Sequence, residues 1–149
     1  MTTRRILLAT ALGVALATPL SADDNERVRP VTDPLTRAEC SACHMAYPVG
    51  LLRSQSWERI MGTLSDHFGE DASLDPASTE AIRAWLVNNS RPYAKPPAEP
   101  PMRISELRWF KREHGSRLFT VARVSKGIGS ISNCQACHRG AEQGLFEDD

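Results

Sequence analysis

The chain has 149 residues, with 18 basic and 18 acidic side chains, four histidines and four cysteines. This charge balance lacks the excess of positive charge that a nucleic-acid partner requires. The length allows one domain or two very small ones, and units of about 50–75 residues lean on a metal, a disulfide or another staple.

The first element is a secretory signal. Arg4 and Arg5 form its basic region, Ile6 to Leu20 its apolar run, and Ser21-Ala22 a small-residue cleavage site before Asp23-Asp24. The alternative is an uncleaved anchor. The run is short for a membrane span and is broken by Gly13 and Pro19. Cleavage after Ala22 removes two arginines and leaves 127 residues with 16 basic against 18 acidic. No other segment is long and apolar enough to cross a bilayer, so a soluble mature protein in an oxidising compartment is expected.

The stretch TDPLTRAECSACH predicts a helix with Asp33 as N-cap and Pro34 as its first residue, carrying Cys40, Cys43 and His44. A loop follows at Pro48-Val49-Gly50. Ser56 is the expected cap of a second helix, WERIMGTLSDHF, ended by Gly69. Its apolar face runs through Trp57, Ile60, Met61, Leu64 and Phe68. Asp75-Pro76 repeats the cap signal and opens a third helix, PASTEAIRAWLVNN, with Ile82, Trp85 and Leu86 on its apolar side. Residues 90–102 hold five prolines and predict an extended, semi-rigid boundary. Ser105 then caps ELRWFKREH, with Gly115 as the stop. Residues 116–133 read as less regular, with β-branched content around Thr120 to Val124 that permits a short strand. A last short helix is expected from Cys134 to Gly144. The expected domains are a signal peptide at 1–22, an N-terminal domain at 23–89, a proline-rich linker at 90–102 and a C-terminal domain at 103–149.

Each of the two expected domains carries one copy of the same pattern, CSACH at 40–44 and CQACH at 134–138, which together use every cysteine. Cys-x-x-Cys-His is the attachment signature of a c-type haem. Thiols three residues apart share a face of a helical turn and can form thioethers to the two vinyl groups of one porphyrin. The histidine after the second cysteine then swings under the ring to bind the iron. A thioredoxin-like dithiol needs no histidine at a fixed place. A Cys₄ zinc site or structural disulfides fit the exported compartment and the doubled histidine less well.

His44 and His138 give each iron one axial ligand. The sixth ligand decides whether the iron only passes electrons or stays open to a gas or a substrate. His67 falls three residues after Leu64, and His114 four after Phe110, so both are expected on the apolar faces of their helices. The separations mirror one another, 23 residues from His44 to His67 and 24 from His114 to His138. Each half would then supply both ligands of its own haem. Met61 rivals His67 at the first haem, and Met102, beside the linker, could rival His114. Met45 is too close to His44 to reach the opposite face of the ring.

The stretches CSACHMAYPVGLL, SWERIMGTLSDHFGEDASLD, RISELRWFKREH and SNCQACHRGAEQGLF resemble the dihaem cytochrome c family of exported bacterial electron carriers. The resemblance implies a soluble periplasmic protein with two covalently bound haem c groups. It implies Cys40, Cys43, His44 and His67 for the first haem, and Cys134, Cys137, His138 and His114 for the second. It further implies redox partners, among them a small oxygen-binding monohaem cytochrome and a membrane cytochrome b.

The fold is therefore expected to be mainly α, in two small haem-centred units. The N-terminal unit resembles a class I cytochrome c with His67 in the place usual for methionine. The C-terminal unit is short and less regular. Two histidine ligands at each iron hold the potentials low, since methionine raises them. The competing reading is a haem enzyme or gas-binding protein with one open, five-coordinate iron. Neither motif has an acid–base pair beside it, and Glu106 and Glu113 show nothing catalytic, so no catalytic residue is assigned. Trp57, Trp85 and Trp109 are candidates for packing on haem. Arg103, Arg108 and Arg112 are candidates for pairing with propionates, although surface charge explains each arginine as well.

Overall fold

Asp33 and Pro34 start the first helix as expected, and the physical reason is visible. In the computed structural model, which describes residues 27–146, the Asp33 carboxylate accepts from the Thr36 N–H and hydroxyl, both at 2.8 Å. Helix α1 (Pro34–Cys40) then stops sooner than predicted. The Ser41 N–H donates to the Arg37 carbonyl and the Ala42 N–H to the Glu39 carbonyl, which closes it. Cys40 alone lies on the helix, and Cys43 and His44 fall in the turn beyond it. The signal at 1–22 lies outside the described residues. No described helix is long and apolar enough to cross a membrane.

Helix α2 (Ser54–Met61) is also displaced from its predicted bounds. Ser56 is fully buried and is not the cap; Arg53 occupies that position without a side-chain bond. The helix ends at Gly62, and the Thr63 hydroxyl donates back to Arg59 and Ile60 carbonyls. His67 and Phe68 therefore lie outside the helix. They follow a 3-10 turn (Leu64–Asp66), in a tight reversal where His67 and Glu70 exchange backbone hydrogen bonds. Phe68 and Gly69 both take positive φ there, at 60° and 101°. Two positive-φ residues in succession are what a tight hairpin turn demands, and Gly69 meets its half without strain.

Helix α3 (Pro76–Asn89) has the predicted limits. Asp75 accepts from the Ala77 and Ser78 N–H groups. The helix packs on α2, and Val49, Leu52, Trp57, Ile60, Met61, Ile82 and Leu86 form the main core. Residues 90–102 are non-helical and lie along α2. Arg91 accepts from the Ser54 N–H, Tyr93 donates to Gln55, and Arg59 donates to the Pro100 carbonyl. Met102, Ile104 and Leu107 pack against the same core.

In the C-terminal part, a 3-10 turn (Ile104–Glu106) precedes α4 (Arg108–Glu113), so Ser105 lies within the turn rather than capping the helix. The stretch expected to be irregular is α5 (Ser116–Lys126), bounded by Gly115 and by Gly127 at φ 63°. Valine and threonine cost only tenths of a kcal/mol each in a helix, about 0.7 at most. Thr120 and Ser125 turn their hydroxyls back to the carbonyls four residues earlier. The expected last helix is instead a pair of 3-10 turns, Cys134–Ala136 and Ala141–Gln143. Among the described residues there is no strand, only the isolated bridges Arg27–Leu145 and His67–Glu70. The Val28 N–H donates to the Gly144 carbonyl at 2.8 Å, so the start of the described chain holds its end. At Gly144 a Cβ would fall into the Val28 carbonyl, and φ is 78°, so glycine is required there.

Candidate haem-binding site

An apolar cavity of about 630 Å³ opens between α1, α2, α3 and the segment after the linker. Cys40, Cys43, His44 and His67 line it, with Trp57, Ile60, Met61, Ile82 and Leu86 from the core. Phe110, Ser132 and Cys134 complete one wall, so residues near both motifs face the same space. Trp57 is buried and fixed by its indole N–H on the Val49 carbonyl at 2.9 Å. Trp85 packs on the core without lining the cavity, and Trp109 is 38% exposed. Of the three candidate arginines, Arg103 lines the cavity. Its guanidinium lies 3.9 Å from the centre of the Phe68 ring.

No two of the four cysteines pair as a disulfide. Burial pushes the Cys40 thiol up, and Glu39 adds to it. Burial does the same at Cys134. Reactive dithiols of thioredoxin type work the other way, through lowered thiol pKa values. Among the described residues no group of three or more His, Cys, Asp or Glu side chains is gathered as a metal site, so the zinc alternative has no ligand cluster.

The histidines meet in the pairs that the sequence spacing suggested. The His44 and His67 rings are 6.2 Å apart, inclined at 26°. The His114 and His138 rings are 6.0 Å apart, inclined at 74°. A metal–imidazole nitrogen bond is about 2 Å, and the ring centre lies about 1 Å further, so two opposed imidazoles on one metal sit about 6 Å apart. Both gaps fit one iron. The route to this placement differs from the predicted one. His67 is aimed by the reversal after α2 rather than by a helix face. His114 is the C-cap of α4, half-buried, with the Phe110 ring stacked on it at 4.1 Å.

Hydrogen bonds orient two of the rings. His44 Nδ1 lies 2.8 Å from the Met45 carbonyl, and His114 Nδ1 lies 3.2 Å from the Phe110 carbonyl. A carbonyl can only accept, so in each case Nδ1 carries the proton and Nε2 keeps its lone pair for a metal. Burial, then His44 and Arg103, lower the His67 pKa, which favours the neutral ring that a metal needs. Phe146 stands edge-on to His138 at 5.5 Å.

Met61 lines the first cavity with 7% exposure. Met102 lines that cavity too, with its sulfur 3.8 Å from the Thr63 hydroxyl, which places it beside the first histidine pair rather than beside His114. Sequence reasoning missed Tyr47, Phe110 and Phe146 as partners of the histidines. Tyr47 and Phe110 stand three and four residues from His44 and His114, a short-range signal that an aromatic scan around each histidine detects.

The family model for dihaem cytochrome c matches residues 36–146. No curated protein matches the chain. Among solved structures, a diheme cytochrome c from Rhodobacter sphaeroides is 49% identical, covers 80% of this chain and 100% of its own, with a TM-score of 0.70. A second structure of DHC purified from Rhodobacter sphaeroides is 53% identical over 78% of this chain and 99% of its own, with a TM-score of 0.63. A diheme cytochrome type c from Shewanella baltica is 38% identical over 76% of this chain and 86% of its own, with a TM-score of 0.65. The cavity, the thiols along it and the two iron-sized histidine gaps agree with these likenesses. The chain belongs to the dihaem cytochrome c family and carries two covalently bound haem c groups.

Proposed function

We propose that this protein is a soluble periplasmic electron carrier whose irons are both closed by two histidines, His44 with His67 and His138 with His114. The observation that carries the reading is the spacing of the ring pairs, 6.2 and 6.0 Å, each the span of one metal with an imidazole on either side. Bound haem supplies reversible one-electron chemistry between ferrous and ferric iron.

The chain's own residues prepare a site that changes little when an electron arrives. The Met45 and Phe110 carbonyls hold the Nδ1 protons of His44 and His114, so those rings do not turn. Ile60, Ile82 and Leu86 give the first cavity an apolar wall. The cysteines hold the porphyrins covalently, and Arg103 puts a positive charge at the first cavity, where a propionate would be stabilised. Histidine on both sides, with no methionine sulfur, keeps the potentials low. The partners of this reading are redox proteins, a small oxygen-binding monohaem cytochrome and a membrane cytochrome b. Export rests on Arg4, Arg5, the apolar run and Ser21-Ala22.

Single replacements test the ligand assignment. His67→Ala should leave one low-spin haem and one high-spin haem that binds carbon monoxide, and His114→Ala should do the same at the other centre. If His67→Ala leaves both irons low-spin, with the near-infrared band of methionine ligation, then Met61 or Met102 is the ligand and the assignment fails at the first haem.

A further inference from the structure

Tyr47 contacts a histidine of the first motif and the segment that leads into the second. Its ring is 5.0 Å from the His44 ring, tilted by 36°. Its hydroxyl donates to the Ser132 carbonyl at 2.9 Å, across 85 residues of sequence. The same carbonyl receives the Cys134 N–H at 3.0 Å. Thus one phenol links a histidine of the first motif to the turn that presents the first cysteine of the second. Tyr47 and Cys134 line the same cavity as Cys40 and Cys43, so the two attachment segments share a wall. Pro48 beside Tyr47 is fully buried, and Ala46 is 1% exposed, so the backbone that carries the phenol has little freedom. By contrast, Ser132 is exposed and its segment has little core of its own. A rigid donor therefore holds a loosely packed acceptor.

We propose that Tyr47 is a positioning residue that sets the gap between the two haems and so the rate at which they exchange an electron. The proposal rests on the electron-carrier reading above. The step it serves takes one electron from the ferrous iron of one centre to the ferric iron of the other. No bond forms or breaks, and the proton stays on the Tyr47 oxygen. The ring fixes the His44 side by contact, and the hydroxyl fixes the Cys134 side through the Ser132 carbonyl. Loss of the hydroxyl alone releases the second side and leaves every proposed iron ligand in place.

The test uses the full holoprotein with Tyr47→Phe. Haem content and spin state are read first: two haems per chain, both low-spin, show that the ligand reading stands independently of Tyr47. The chain is then reduced by a flash with a photoexcited flavin, and re-equilibration between the two haems is followed by transient absorption. Tyr47→Phe should slow it several-fold, and Tyr47→Leu, which also removes the ring, should slow it further. The haem–haem magnetic interaction in the electron paramagnetic resonance spectrum should weaken in the same order. An unchanged rate and interaction in Tyr47→Phe overturn the proposal. If Tyr47→Phe fails to load both haems, 3-fluorotyrosine in a Tyr93→Phe background changes the strength of the same hydrogen bond without changing its shape. A shifted rate then supports the role, and an unshifted rate overturns it.

Discussion

The two halves of this small protein bury their apolar residues in different ways. Residues 27–102 have a connected core of Val49, Leu52, Trp57, Ile60, Met61, Ile82 and Leu86 wrapped around a cavity of about 630 Å³. From residue 103 onward the buried apolar side chains among the described residues are Phe110, Ile128 and Ala141, while Val121 and Val124 on α5 are exposed. On the proposed ligand reading the first haem would sit in the middle of a core, whereas the second would staple a chain that has almost none. The C-terminal half also borrows from the first, through Ile104 and Leu107 on the main core and through the Val28–Gly144 and Tyr47–Ser132 bonds. The first half takes only one wall of its cavity from the second, through Phe110, Ser132 and Cys134, so the heavier dependence runs from the second half to the first.

The largest effect expected from this asymmetry is on haem removal. Without its haem the first site would leave apolar side chains of the main core facing water, at about 25 cal/mol per Å² of apolar surface, a loss that is large against the marginal stability of a domain. Cys40→Ala with Cys43→Ala should leave the chain largely unfolded in both halves, seen as loss of far-ultraviolet helical signal. Cys134→Ala with Cys137→Ala should yield a folded one-haem protein. Limited proteolysis should then cut it beyond residue 103 and spare α2 and α3. Equal damage from the two double variants would break the comparison.

A smaller effect is expected at Leu86, 2% exposed in the main core. Leu86→Ala should cost about 2–5 kcal/mol in denaturant unfolding while both haems stay attached. Val124→Ala on α5, where the side chain is 86% exposed, should stay within about 0.5 kcal/mol.

The smallest expected effect concerns the α3 cap. Hydrogen bonds from Ser78, through its hydroxyl and then its N–H, hold the Asp75 carboxyl below its usual 3.8. A depressed folded pKa contributes stability above the unfolded value, and that stability is lost as pH falls through the folded one. Asp75→Ala should therefore lower the thermal midpoint slightly at neutral pH. The difference from the parent should shrink as pH falls below 3.8 and vanish only below the depressed folded value.

The cap residues also show which parts of the fold were legible in sequence. Asp33-Pro34 and Asp75-Pro76 marked true helix starts, because a carboxylate before proline satisfies the first free N–H groups wherever it occurs. The end of α2 was not legible. The apolar spacing continues to Phe68, but Gly62, the Thr63 hydroxyl and the Phe68-Gly69 reversal break the helix locally. Helix α5 was missed because its stretch was read as irregular, its β-branched residues lowering the helix signal, although the flanking Gly115 and Gly127 bound a helix of ordinary length. The histidine pairs were legible by number and by sequence distance, which survive errors in the helix limits. Their second partners were not, since the Met45 and Phe110 carbonyls and the Tyr47–Ser132 bond belong to backbone geometry that no residue pattern encodes.

The closure of both irons is the central claim, and carbon monoxide tests it most directly. The purified, dithionite-reduced wild-type protein should give a purely low-spin visible spectrum that carbon monoxide leaves unchanged. Stoichiometric carbon monoxide binding at one haem per chain, with a high-spin band in the oxidised protein, would contradict the bis-histidine account and turn this carrier into a protein with an open iron.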